Sequence, residues 1–394
     1  MKEKELLYYF PYAIDKQNNF RHFADDSDAF LRQFIPKYDG SNRAEFISKY
    51  TNLTPKEILE IDYRYGDYSR WSEWNRNGRH IFAFSKELLS MLEKTDAGNT
   101  TADTFHPPYD IFYLSLRPLD LKISKDDSEI IEGVYVDHQI YDASGTTYDG
   151  YCELTLDFTG NFKSVYERFA EKVSSQLPYT IDGQVKYNIS PLGDFWRFWL
   201  MFDPKEGITN VRDTVDVFLK DLQREIFPLK DSGRDVTDIE LDFYNSAAGL
   251  LEETINLVIN CILYLSQPSH KVDLTKEYPA GLPANFDRKL SFAKSTKEKE
   301  NVCKRIESSG FTKISFVGQS FRKTNSKLFG HGALEAHWRR GHWRKQKFGK
   351  DLSQNKNIWI LPTIVNHVKG EPKRGQVYDV NKEVAQPING HIAN

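Results

Sequence analysis

Three runs decide how this chain is read: I-F-Y-L-S-L-R at Ile111–Arg117, E-I-I-E-G-V-Y-V-D-H-Q-I-Y at Glu129–Tyr141 and Y-C-E-L-T-L-D-F at Tyr151–Phe158. Each is rich in β-branched and aromatic residues and partly alternates apolar with polar, the period of a half-buried strand. Asp126-Asp127 and Ala143-Ser144-Gly145 supply turn chemistry between them. A three-stranded antiparallel meander is the expected result, and the neighbouring helices are its obvious cover.

Before the meander, residues 5–100 read as mainly helical, with Phe20, Phe23, Phe30, Phe34 and Phe46 at roughly helical spacing as core. Asn52-Leu53-Thr54-Pro55-Lys56-Glu57 starts a helix: Thr54 can cap it, Pro55 suits its first turn, and Glu57 can close a capping box. The aromatic and basic segment Arg64–Arg79 reads as a packed loop, with a second contact surface as the alternative. Ser85 opens an amphipathic helix to about Lys94. After the meander, helices are expected at Phe162–Gln176, Asn210–Ile226 and Asn245–Ser266, the last being the most apolar. The aromatic run Phe195–Phe202 is read as buried helix or strand, with a peptide-binding groove as the minority reading. From Asp273 to Ser326 the composition turns to Lys, Ser, Pro and Gly, which reads as a linker. The fold class is therefore α+β: a mainly helical body around a small antiparallel β-meander, with a basic C-terminal β-hairpin. The expected divisions are an acidic body over 1–270, a basic linker or irregular excursion over 271–329, and a hairpin region with its tail over 330–394.

With 39% hydrophobic and 28% charged residues, 26 Phe and 21 Tyr, the 394-residue chain has the composition of a globular protein with one or two domains. No apolar run approaches the roughly 20 residues of a membrane span; the longest, Ile255–Leu265, carries Asn256, Asn260 and Cys261. The N-terminus lacks the pattern of a secretion signal, and Cys152, Cys261 and Cys303 have no paired spacing. A cytoplasmic location is expected. The net charge of -3 conceals a partition: residues 288–350 carry 17 Lys or Arg against 4 Glu, a net of +13. The tail 351–394 adds a net of +1, which leaves -17 on the first 287 residues. A basic segment on an acidic body suggests a polyanion partner for the segment.

Enzyme and cofactor motifs are missing: there is no phosphate-binding GxxxxGK[ST] loop, strand-coupled GxGxxG, HExxH, EF-hand loop or GxSxG elbow. Asp238-Ile239-Glu240-Leu241-Asp242 places three carboxylates on one face if extended, although a solvated acidic strand is the favoured reading. His337 and His342 are five apart, so on a strand they face opposite sides. His331 and His337 can share a face, but no Cys or carboxylate sits at matching spacing. Neither a metal nor a cofactor is expected, and no catalytic residue is assigned.

The most distinctive stretch runs from Gly330: G-H-G-A-L-E-A-H-W-R-R-G-H-W-R-K-Q-K-F-G-K, then a polar turn and I-W-I-L-P-T-I-V. If Ala336–Lys345 is a strand, His337, Arg339, Gly341 and Trp343 lie on one face, and Trp338, Arg340, His342 and Arg344 on the other. Ile358–Val365 can return as its partner, with Pro362 interrupting the pairing. Indole, imidazole and guanidinium together stack on bases and neutralise phosphates. The expected nucleic-acid contacts are His337, Trp338, Arg339, Arg340, His342, Trp343, Arg344, Lys345, Lys347 and Trp359. Two alternatives stand: a ribbon whose Trp residues pack on the body while Arg faces solvent, and an acidic protein partner.

The run His337-Trp338-Arg339-Arg340-Gly341-His342-Trp343, followed by Ile358-Trp359-Ile360-Leu361-Pro362-Thr363, resembles the C-terminal signature of the anti-CRISPR VA-two family. The order of parts is also similar, while the specific match covers about 30 residues. The resemblance implies a regulator carried by phages and other mobile elements. It would recognise the nascent N-terminal segment of a type V-A effector and cause loss of the mRNA being translated. The acidic body would then be the polypeptide-recognition region, and the hairpin would contact RNA or the ribosome, with no membrane involved. Two other functions remain open. One is an RNase in which His337 or His342 is the general base and an Arg stabilises the phosphorane. The other is a plain RNA- or DNA-binding regulator with no peptide target.

Overall fold

The computed structural model describes residues 2–23, 26–41, 46, 53, 55–122, 130–141, 151–160, 179–181, 184–186, 197–226, 254–321, 337–339, 341–361 and 363–365. The expected meander is present: β3 (Ile111–Ser115), β4 (Ile131–Tyr141) and β5 (Tyr151–Gly160) pair antiparallel in that order. It is the middle of something larger. β1 (Ile81–Phe84) lies parallel to β3, and β10 (Ile314–Val317) lies parallel to β1 on its far side. β9 (Leu274–Glu277) closes that edge antiparallel, and β8 (Arg197–Phe202) adds to β5 at the other. The result is a seven-stranded mixed sheet rather than a small meander, in the order β8-β5-β4-β3-β1-β10-β9. β6 (Tyr179–Ile181) and β7 (Gln184–Lys186) pair antiparallel in a separate two-stranded sheet. β1 and β10 read I-F-A-F and I-S-F-V and are buried at every position, as parallel strands covered on both faces must be.

Alternate residues of the sheet enter two separate cores, because successive strand side chains point to opposite faces. Phe82, Phe84, Leu114, Val134, Leu156 and Leu200 pack with helix α4 (Lys86–Glu93), α5 (Val211–Ile226) and the apolar helix α6 (254–265). Ile81, Tyr113, Tyr135, Ile314 and Phe316 pack with α1 (Phe10–Asn18) and α3 (Pro55–Arg76). The short helix α2 (Ser27–Arg32) brings Phe30 flat against Tyr68 of α3, with ring centroids 4.4 Å apart. Phe20, Phe30 and Phe46 are buried and Phe23 and Phe34 partly so. Helix α3 begins at Pro55 and runs through most of the segment expected as a loop; it buries Tyr68, Trp71 and Trp74 on one side, which makes that segment core. Ser85 caps α4, its Oγ accepting from Leu88 N at 3.3 Å and donating to the Gly318 carbonyl at 2.7 Å.

The linker expected over 271–329 is not found over 274–317. That stretch supplies β9 and β10, with α7 (Phe286–Phe292) and α8 (Thr296–Ser308) between them. Its buried positions, Leu282, Phe286, Ile306, Phe311, Ile314 and Phe316, are sparse but all enter the second core. The Phe195–Phe202 run resolves as strand from Arg197, with alternating burial that leaves Trp199 and Met201 exposed. Phe162–Gln176, Asp238–Asp242 and the first part of the expected Asn245–Ser266 helix lie outside the described residues.

Two features of the sheet generate tests. Gly133 sits where the β4–β5 register shifts, and a Cβ there would overlap the Leu114 carbonyl oxygen and the Tyr113 hydroxyl. Gly133→Ala is expected to destabilise the protein by about 3 kcal/mol, read as a lower denaturant midpoint at unchanged slope. Between α3 and the sheet lies a buried charged layer: Asp157 receives Arg70 Nε at 2.7 Å and lies 3.1 Å from Arg197 Nε, with Asp67 3.8 Å from Arg70. Burial pushes the Asp67 carboxyl up to about 7, against the pull of Arg70. The folded state therefore holds a proton that the unfolded chain has lost between about pH 4 and 7, so stability falls as pH rises through that window. Asp67→Asn should flatten this slope and raise stability at pH 8 by on the order of a few kcal/mol in pH-resolved thermal melts.

Candidate nucleic-acid interface

The C-terminal hairpin forms, with its pairing in two blocks. β12 (Gly341–Phe348) and β13 (Gln354–Ile360) pair antiparallel from His342↔Ile360 to Phe348↔Gln354. β11 (His337–Arg339) pairs with β14 (Thr363–Val365) in a separate ladder. The two ladders part between Ile360 and Thr363, and the sequence there includes a proline, which lacks the N–H that a ladder needs. Gly349 at φ 81° and Asp351 at φ 59° turn the chain between β12 and β13, and Gly and Asp are residues that tolerate that region.

β12 is also joined to the body. Its free edge pairs parallel with β2 (Thr95–Asp96), Gly341 opposite Thr95 and His342 opposite Asp96. Trp343 and Trp359 are direct cross-strand partners, half-buried, with rings 6.1 Å apart and 22° from parallel. Both pack on the first core, and Trp359 stands edge-on to Tyr264 of α6 at 5.6 Å. Each indole N–H finds an acceptor inside the body: Trp343 Nε1 donates to Asn260 Oδ1 at 2.6 Å and Trp359 Nε1 to Thr95 Oγ1 at 3.1 Å.

Those acceptors belong to one network. Asn260, fully buried, donates from Nδ2 to the Thr95 and Asn256 carbonyls at 2.7 and 2.8 Å. Asn256 Nδ2 donates to the same Thr95 carbonyl at 2.7 Å, and its Oδ1 accepts from Ala97 N at 3.0 Å. Thr95 Oγ1 donates to the Met91 carbonyl at 3.0 Å. Asn256 and Asn260 are four apart and so share one face of α6. Sequence reading registered them only as interruptions of an apolar run. The signal that could have located the docking site is that buried amides need partners.

This network changes the expected role of two site residues. Trp343, expected to stack on bases, and Trp359, expected as a further nucleic-acid contact, are engaged in docking the hairpin. Of the remaining expected contacts, His342, Arg344, Lys345 and Lys347 are exposed on β12, as is Lys350 in the turn. Lys345 reaches back to Thr101 Oγ1 at 3.3 Å and lies 3.7 Å from the Asp103 carboxylate. Arg344 and Lys347 form no ion pair among the described residues. His337, Trp338 and Arg339 have a described backbone in β11, but their side chains, like Arg340, His331 and His367, lie outside the described residues. No group of three or more metal-ligating side chains occurs among the described residues. Burial pushes the thiols of Cys152 and Cys261 upward, away from thiolate chemistry. No described helix is long and apolar enough to cross a membrane. Trp343→Phe would leave Asn260 Oδ1 without its donor, at a cost of about 1–3 kcal/mol. Hydrogen exchange should then quicken in β12 and β13 more than in β3 and β4, and the Trp343→Phe/Asn260→Ala cycle should show coupling of about 1–2 kcal/mol.

A family-model match agrees with the resemblance carried by the C-terminal signature. The AcrVA2-like family model, described as the anti-CRISPR type V subtype A2 family, matches residues 82–367, from β1 to just beyond β14. No curated protein matches the chain. A solved structure described as the crystal structure of AcrVA2 aligns with a TM-score of 0.41 at 15% identity, over 90% of this chain and 97% of that one. Because the family match spans well over half of its 394 residues, this chain belongs to the AcrVA2-like anti-CRISPR type V subtype A2 family.

Proposed function

We propose that this chain is a translation-coupled regulator within the anti-CRISPR family. Its acidic body recognises the nascent N-terminal segment of a type V-A effector, and its basic hairpin contacts the RNA or ribosome, so that recognition leads to loss of that message. The observation that carries the reading is the division of labour on β12 and β13. The two indoles hold the ribbon to the body, while His342, Arg344, Lys345 and Lys347 stay exposed. A ribbon fixed in this way presents cations from a backbone that is already ordered, which lowers the cost of contact with phosphates. The charge partition, -17 on residues 1–287 against six Lys or Arg and no Asp or Glu on 337–350, supports separate partners for body and ribbon.

The test is a reporter message that begins with an effector's N-terminal codons, compared with a frameshifted version of nearly the same RNA. Repression and shortened mRNA lifetime should follow the encoded peptide. Equal repression of both messages would favour a plain RNA-binding regulator, and RNA cleavage by the purified protein would favour a hydrolase. Arg344→Ala/Lys345→Ala/Lys347→Ala should lower repression tenfold or more while each exposed substitution changes stability by within about 0.5 kcal/mol. Loss of repression through melting would contradict the reading.

A further inference from the structure

The stretch 281–313, basic in composition, is a folded surface of its own. Leu282, Phe286 and Ile306 anchor it in the second core, on the face of the sheet opposite the hairpin. What it turns outward is unusual. Phe292 is 68% exposed, more than any other exposed large hydrophobic side chain described, and Arg288 lies over its ring at 5.4 Å. Lys294 and Lys297 follow it closely in sequence and are exposed, as is Lys304, seven residues beyond Lys297 on the same face of α8. None of these three forms an ion pair among the described residues.

Three of the nearby carboxylates are engaged elsewhere, while Glu300 is exposed between Lys297 and Lys304 on the same face of α8, so that Arg288, Lys294, Lys297, Glu300 and Lys304 together carry a net charge of +3. Asp287 accepts from the backbone N–H groups of Gly281 and Leu282 at 2.8 and 3.1 Å. Glu298 accepts from Lys294 N and Ser295 N at 2.7 and 3.3 Å in a capping box, and Glu307 accepts from the Tyr278 hydroxyl at 2.9 Å. The capping contacts hold Asp287 and Glu298 toward backbone rather than toward the lysines. Unpaired like charges repel one another, and an exposed phenyl ring is unfavourable in water. Both costs fall on contact with a ligand that offers phosphates and flat π faces together. Single-stranded nucleic acid is that ligand. An acidic peptide offers no regular π faces, and a lipid surface would call for several apolar side chains where this one has Phe292.

We propose that the α7–α8 face is a second nucleic-acid-binding surface, in which Phe292 and Arg288 stack on a base and Lys294, Lys297 and Lys304 contact the flanking phosphates of a single strand. It stands independently of the hairpin and of any nascent-chain recognition. The test titrates the full-length protein with a fluorescent oligouridylate and its deoxy counterpart at several salt concentrations. Lys294→Gln/Lys297→Gln/Lys304→Gln should weaken binding tenfold or more and reduce the slope of log affinity against log salt by about 2, at roughly 0.7 per single-strand phosphate contact. Phe292→Ala should weaken binding roughly five- to thirtyfold with the salt slope unchanged, and its exposure makes it safe for folding. Equal affinity and slope in both variants would overturn the proposal. So would Phe292-dependent binding to anionic phosphatidylserine vesicles with none to either oligonucleotide. The titration involves no translation, so its failure would leave the nascent-chain reading standing.

Discussion

The arrangement of this protein depends on a requirement inside α6. An apolar helix carrying Asn256 and Asn260 cannot be buried unless both amides are satisfied, since an unpaired buried amide costs about 1–3 kcal/mol. Thr95 and Ala97 of the adjacent body meet most of that requirement, and the last acceptor, Asn260 Oδ1, is met by Trp343 from the C-terminal ribbon. The bond links residues 83 positions apart, so the central helix is completed only when the ribbon docks. Thr95 takes part twice, through its carbonyl toward α6 and through its hydroxyl toward Trp359. Docking of the ribbon therefore completes the polar network of α6, and the ribbon packs on the first core.

This arrangement separates two uses of residues that look alike in the sequence. In β12 and β13 the tryptophans face the body and carry stability, while His342 and the cations Arg344, Lys345 and Lys347 remain exposed. A cluster of indole, imidazole and guanidinium reads as a single binding surface, yet strand pairing and the docking network divide it between anchoring and exposure. On the opposite layer, α7 and α8 repeat the pattern with different residues: Phe286 and Ile306 anchor, while Arg288, Lys294, Lys297 and Lys304 remain outside.

What the amino-acid sequence disclosed follows from the range over which its signals act. The β3–β4–β5 meander was legible because its strands are long, alternating and close in sequence. β1 and β10 were not. Each is only four residues long, I-F-A-F and I-S-F-V, and they pair in parallel across more than 200 positions, as Phe82 with Ser315. No local period encodes that. The stretch around α7 and α8 read as a linker because its many Lys and Ser lie on an exposed face, while its few buried residues are widely spaced. Arg64–Arg79 read as a loop because aromatic and basic residues alternate there; helical spacing sorts Trp71 and Trp74 inward. The hairpin itself was visible in H-W-R-R-G-H-W and I-W-I-L-P, but its docking was not, since the partners of its indoles lie in β2 and α6.

The central claim is that the docked ribbon is a preformed surface for RNA. The most direct measurement is ultraviolet crosslinking of RNA to this protein in translating cells, with the crosslinked residues located by mass spectrometry. The account predicts nucleotide adducts on the exposed β12 and turn residues, from His342 to Lys350, which disappear when Asn260→Ala loosens the ribbon. Adducts confined to other parts of the chain, or none above background, would contradict it and leave the ribbon as a structural completion of α6.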